Sequence, residues 1–118
     1  GDVGEAQRTA VELYRLNRGG LRQHGIELPV ELSITGVDGR IARRLAGSLK
    51  SAGLRPANGG TGSPLRLEVR VSDTRRVSYR FLDGERFLLG DTVGVSALDR
   101  EGAVRIAREI TDAIFRVE

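Results

Sequence analysis

LRLEVRVSDTRRVSYRFLDGERFLLGDTVGV, residues 65–95, decides how the rest of the chain is read. From Leu65 to Val71 every odd position is aliphatic and every even position charged. Side chains alternate between the two faces of a strand, so this run has one buried and one wet face. Asp73-Thr74 sits between it and a second alternating run, in which Val77, Tyr79 and Phe81 point inward and Ser78 and Arg80 outward. Asp83-Gly84 provides the next turn, since glycine accepts the left-handed conformation that tight hairpins demand. A third strand, 86–95, is expected to place Phe87, Leu89, Asp91, Val93 and Val95 on one face. Leu88 breaks the polar face, and Gly90 and Gly94 suggest a bulge or a closely packed crossing helix.

An antiparallel sheet with a single apolar face needs a cover, and helices are the expected one. Val30 to Thr35 alternates as an earlier strand. The helix after it, Gly39 to Ala52, carries Ile41, Leu45, Leu49 and Ala52 on one stripe, with Asp38 as its N-cap and Gly53 just past its end. Arg40, Arg43, Arg44 and Lys50 fall largely off that stripe. Leu54 to Ala57 adds a short edge strand. In the last helix Ala103, Ala107, Ile110, Ile114 and Val117 step by four and three residues, and Asp99, or Ser96 with Asp99 as a capping box, begins it. Its other side offers the i,i+4 pairs Glu101–Arg105, Arg105–Glu109, Arg108–Asp112 and Asp112–Arg116.

A first helix, Gly4 to Asn17, presents Ala6, Ala10, Leu13 and Asn17, with Val11 and Tyr14 beside them, and Gly19-Gly20 ends it. A short helical turn before Gly25 follows. The expected fold is α+β: a two-layer sandwich of a mainly antiparallel four- to five-stranded sheet, with two helices on one face plus the N-terminal helix. Residues 1–29 form that helix and a connector, suited to linking or to docking on a partner. Residues 30–118 form the sandwich in the order β-α-(β)-β-β-β-α.

At 118 residues the chain is one domain in size. No run approaches the ~18 apolar residues of a membrane-spanning helix. The absence of cysteine excludes a disulfide framework and thiolate chemistry. The net charge of +3 comes from 19 basic residues, all but Lys50 arginine, against 16 acids. That balance is mildly basic and lacks the excess typical of nucleic-acid binding.

Candidate chemistry is sparse. Asn58 to Ser63 (NGGTGS) has the glycines of a phosphate loop, but Pro64 and a strand follow where such a loop needs a helix. Gly36 to Gly39 does join strand to helix, yet Asp38 would repel an anion there and is better read as a cap. His24 is the only histidine and has only Glu27 near it in sequence, which makes no dyad or triad. Asp83 and Glu85 share a hairpin tip, where nothing desolvates them. One histidine and no cysteine argue against a metal site, and no cofactor motif is present, so no enzymatic activity is expected.

Arginine is the one feature with a message. Arg66, Arg70 and Arg80 share the polar face of the meander, and Arg75 and Arg76 begin its second strand. These five are the candidate anion- or partner-binding residues. Glu68 intervenes between Arg66 and Arg70, and Tyr79 and Phe81 point inward, which leaves the face without stacking aromatics and disfavours nucleic acid. A solvated face that discourages sheet aggregation is the favoured reading.

IARRLAGSLKSAGLRPA (41–57), the meander (65–95) and ALDREGAVRIAREITDAI (97–114) together resemble small bacterial envelope lipoprotein domains. Those domains include the lipopolysaccharide-assembly lipoprotein of the outer-membrane translocon, the amino-terminal domain of TolB, and curli- and flagellum-associated lipoproteins. The resemblance covers about three-quarters of the chain as a pattern of elements. The first 29 residues do not share it, and a lipid-attachment cysteine is not in the sequence. It implies a non-enzymatic domain on the periplasmic side of the outer membrane. The partner it implies is a protein of a transport, secretion or assembly machine, with Arg66, Arg70 and Arg80 contacting an anionic glycolipid. The alternatives are a cytoplasmic nucleic-acid-binding module that uses the same arginines, and a homo-oligomer subunit with the first helix packed on a neighbour.

Overall fold

The alternating stretch folds into a three-stranded meander in the computed structural model, which describes residues 2–23, 25–56, 64–73 and 75–116. In chain order the elements are α1 (Asp2–Leu16), α2 (Gly20–Gln23), β1 (Leu28–Thr35), α3 (Gly39–Ser51), β2 (Leu54–Pro56), β3 (Leu65–Asp73), β4 (Arg76–Asp83), β5 (Arg86–Gly94) and α4 (Arg100–Ile114). The β-α-β-β-β-β-α order and the α+β class agree with the sequence. NGGTGS, His24, Ala57, Thr74 and Val117 lie outside the described residues.

The sheet order is β2-β1-β3-β4-β5. Both pairings of β1 are parallel, to β2 and to β3, and only β3–β4 and β4–β5 are antiparallel. The sheet is therefore mixed: its longer ladders form the expected antiparallel meander, and β1 adds shorter parallel pairings on both of its sides. For β1–β2 the cause is topological: α3 crosses over between them, and a strand returning after a crossover runs parallel to the one it left.

Registers align one apolar face. Leu32 pairs with Leu67, Leu67 with Phe81 and Phe81 with Leu89. Leu65, Leu67, Val69, Val71, Val77, Tyr79 and Phe81 are all buried there. In β5 the outcome departs from the alternation. The register shifts between Phe81 and Leu82, so Leu89 faces Phe81 while Phe87 faces Leu82. Leu88 is the extra residue of a bulge, and Phe87 is turned to the outer face, where it is 54% exposed. Gly90 makes room for it: a Cβ at that position would stand 3.2 Å from the Phe87 ring and 2.7 Å from the Tyr79 carbonyl oxygen.

Helices cover the apolar face. Asp38 caps α3 by accepting from the Ile41 amide, and Leu45 and Leu49 are buried below it. Asp99 caps α4 by accepting from the Gly102 amide, and Ala103, Ile106, Ala107, Ile110 and Ile114 enter the core. The Thr111 hydroxyl, also buried, donates to the Ala107 carbonyl at 2.8 Å. α3 and α4 lie side by side in the same direction. Arg44 reaches the Leu98 carbonyl just ahead of α4, while Gly53, just past α3, lies against Phe115 at the far end.

α1 is spent on the same core. Ala10, Val11 and Tyr14 are buried, whereas Leu13 and Asn17, expected on the buried stripe, are exposed. Tyr14 packs edge-on against Phe81 and Phe115, with ring centroids 5.8 and 6.1 Å away. Its hydroxyl donates to the Ile114 carbonyl at 2.7 Å, which satisfies an acceptor left open at the end of α4. One apolar cluster thus runs through α1, α3, α4 and the sheet. No helix among the described residues is long and apolar enough to cross a membrane.

Candidate functional site

Three surfaces carry the polar chemistry of the described residues. The first is the outer sheet face, where the alternation of β3 and β4 places Arg66 and Arg80 as expected. Arg66 stands 3.9 Å from Glu31 and 3.5 Å from Glu68, and Arg80 stands 3.6 Å from the other oxygen of Glu68. Glu31 comes from β1, whose parallel register with β3 brings it beside Arg66. Arg80 also lies over the Phe87 ring, 5.9 Å from its centroid. Arg70 faces two neutral neighbours, Ser78 and Thr35. Arg75 and Arg76 sit at the β3–β4 turn, where the Arg75 carbonyl accepts from the Val95 amide. The five sequence-predicted residues therefore do not converge. Two are gathered around one carboxylate, one stands among neutral neighbours, and two lie at the strand end.

The second surface is a cleft of about 450 Å³ beneath the edge strand β5, against α4. Tyr79, Asp91, Glu109, Asp112 and Arg116 line it, with Arg18 from beyond α1. Burial, then the nearby Asp91 and Glu109 carboxylates, push the Tyr79 phenol above its usual pKa. Charges of both signs meet here, so the cleft favours no one sign of ligand.

The third surface is a groove of about 480 Å³ between α3 and α4. Arg43 and Arg44 of α3 and Arg100 and Arg108 of α4 line it, and the Arg44 guanidinium reaches across to the Leu98 carbonyl ahead of α4. Gly47, Ser51, Ala52 and Val104 contribute the lower ground between them. Not one carboxylate among the described residues lines it. Ion pairs among the described residues elsewhere include Arg15–Asp83, the Glu31/Glu68 network, and Arg105–Glu109 at 3.6 Å on the exposed side of α4. Arg43 donates to the Gly39 carbonyl and Arg44 to that of Leu98, so backbone contacts, not acids, hold these two guanidinium groups.

Two sequence readings concern anions and metals. Asp38 accepts from Ile41, so the Gly36–Gly39 turn uses its carboxylate as a cap. No group of three His, Cys, Asp or Glu placed to hold a metal ion occurs among the described residues. Sequence reasoning missed the groove because it arises from the juxtaposition of two helices far apart in the chain. The signal in hand was that Arg43 and Arg44 lie off the apolar stripe of α3. What it could not supply was α4 lying parallel alongside, bringing Arg100 beside them and Arg108 further down the same groove. No protein-family model matches this chain, and no curated protein matches it.

Proposed function

We propose that the chain is a non-enzymatic binding domain on the periplasmic side of a bacterial outer membrane, carried by a lipoprotein and docking on a protein of a transport, secretion or assembly machine. The observation that supports it is the α3–α4 groove, an open surface with cations from both helices and small side chains between them. Such a surface suits the reception of another macromolecule. The sheet edges suit it less. β2 has three residues and includes Pro56, while β5 carries a bulge and the inward-facing Asp91, features that discourage edge pairing.

The experiment is the intact mass and membrane partitioning of the full gene product expressed in a bacterial host. A lipid-modified product in the outer-membrane fraction is expected. An unmodified product in the cytoplasmic fraction would overturn the envelope assignment.

A second reading, a nucleic-acid-binding module, gains one specific observation: Phe87 is exposed on the arginine-bearing sheet face with Arg80 above it. An aromatic beside a guanidinium is the pairing on which a base stacks. Its signature would be single-strand binding that weakens steeply with salt and disappears in Phe87→Ala.

A further inference from the structure

The groove between α3 and α4 has a more definite occupant than "a partner". Its four guanidinium groups do not surround a point. Arg100 and Arg108 are eight residues apart on one helix, about 12 Å along its axis. From the other helix Arg43 and Arg44 join the lining, with Arg44 bonded to the Leu98 carbonyl at the Arg100 end, so Arg108 stands further along the groove. A single phosphate could engage only one end of such a line, whereas a chain bearing several carboxylates could follow it. Of the helix N-terminal amides, the usual aid to phosphate binding, those of Ile41 and Gly102 are already engaged by the carboxylates of Asp38 and Asp99, whose charge also repels an anion. Between the arginines lie Gly47, Ser51 and Ala52, together with Val104, which is 44% exposed. A nucleic-acid backbone would leave that apolar ground uncovered, and the lining holds no aromatic on which a base could stack.

We propose that the α3–α4 groove receives an acidic, amphipathic segment of a partner protein. Apolar side chains of the segment lie on Val104 and Ala52, and its carboxylates pair with Arg43, Arg44, Arg100 and Arg108. The small residues of α3 allow a helical backbone to come close, and arginine holds carboxylates through paired N–H donors. This deepens the protein-partner reading above and rests on it for the source of the segment, though not for the chemistry of the groove.

The test uses the 118-residue chain and a fluorescein-labelled synthetic helix with Leu and Ala on one stripe and Glu flanking it. Amide shifts and anisotropy report binding. Perturbations at Gly47, Ser51, Val104 and Arg108 are expected, with loss of affinity at high salt. Arg100→Glu/Arg108→Glu, two exposed positions whose melting is checked first, should weaken binding by at least about tenfold, a difference well within what desolvated charge pairs produce. Arg66→Glu/Arg80→Glu on the sheet face should leave it unchanged.

The proposal is overturned by no saturable binding, by equal binding of the Glu→Gln version of the helix, or by loss in the sheet-face variant instead. Tighter binding of an oligothymidine or of anionic phospholipid vesicles at the groove would also overturn it. These outcomes are separable from the envelope assignment. A lipid-modified gene product with an inert groove would sink this proposal alone, and a cytoplasmic product with an active groove would sink the other.

Discussion

On the open sheet face Arg66 and Arg80 share Glu68, and Glu31 stands on the far side of Arg66; on the helix layer, four arginines share a groove with no carboxylate among the described residues of its lining. Both surfaces are rich in the same side chain, and the difference lies in what the backbone delivers beside it. Adjacent strands in register place a residue of each within about 5 Å of its neighbour, so charges of opposite sign written into β1, β3 and β4 meet automatically. Two packed helices pair their inward stripes, and what ends up across the groove on their outward sides is not tied to that pairing. Around Glu68 the sheet settles its own charge, Arg70 aside, while the helix pair leaves its charge available to something else.

The largest expected effect comes from breaking the helix layer at its start. A Cβ on Gly102 would stand 1.9 Å from the Ala97 carbonyl oxygen, a backbone atom with no flexible side chain to yield. Gly102→Ala should therefore cost about 3 kcal/mol through overpacking. That would lower the Tm by roughly 10 °C. By displacing the first turn of α4 it should also shift Arg100 and weaken the groove while the Glu68 network persists. A variant with an unchanged melting temperature would mean that the Ala97 turn is not held as described.

Next comes the seat of α1 on α4. Tyr14→Phe keeps the ring contacts and removes the buried bond to the Ile114 carbonyl, leaving that oxygen unanswered, at a cost of about 1–2 kcal/mol by chemical denaturation. The same residue gives a pH signature. Burial, more than any neighbouring charge, pushes the Tyr14 phenol up from 10.0 to about 12. The folded state then holds the proton more tightly than the unfolded state. The stabilisation is complete below pH 10 and is lost as pH rises toward about 12. The wild-type chain should lose stability over that window more steeply than Tyr14→Phe, so the gap between them narrows. Parallel curves would remove the tyrosine from the alkaline transition.

These two residues also mark what the sequence revealed and what it hid. Alternation in β3 and β4, the Asp38 and Asp99 caps and the apolar stripe of α4 are local patterns, and each appears where it was read. Helical spacing alone favours Leu13 and Asn17 for the buried stripe of α1 and sets Tyr14 beside it. Its burial depends on Phe81, Phe115 and Ile114, all far away in sequence. Phe87 fails for a related reason: a one-residue bulge reverses every later side chain, and alternation cannot say on which side of the bulge a residue falls. The parallel β1–β3 pairing was equally invisible, and with it the Glu31 that answers Arg66.

A smaller effect tests the attachment of α1 to the meander. Arg15 grips Asp83 through two bonds, from Nε at 2.9 Å and from a terminal nitrogen at 2.8 Å, which holds its guanidinium even further above its usual pKa. The arginine side chain is 50% exposed, so solvent screening limits the pair to roughly 0.5 kcal/mol. Arg15→Gln should show that loss at low salt and almost none in 1 M NaCl. A loss of several kcal/mol would mean that the pair closes a more deeply buried contact than its exposure suggests.

The smallest stability change should accompany the sharpest change in behaviour. Glu68 holds Arg66 and Arg80 at 3.5 and 3.6 Å, and all three side chains are between one-third and two-thirds exposed. Replacing it with Gln should cost only a few tenths of a kcal/mol, because exposed pairs of this kind contribute little net stabilisation. Yet it removes the one carboxylate shared by both arginines and leaves Glu31 as the only acid of the network. If the contrast between the two surfaces rests on answered charge, E68Q should create on the sheet face what the groove already has. Oligothymidine and heparin binding should rise in E68Q, fall again in the triple variant with Arg66→Ala and Arg80→Ala, and weaken with salt. Polyanion binding that does not respond to Glu68 would place the difference between the surfaces in their shape, flat against grooved, and not in their charge.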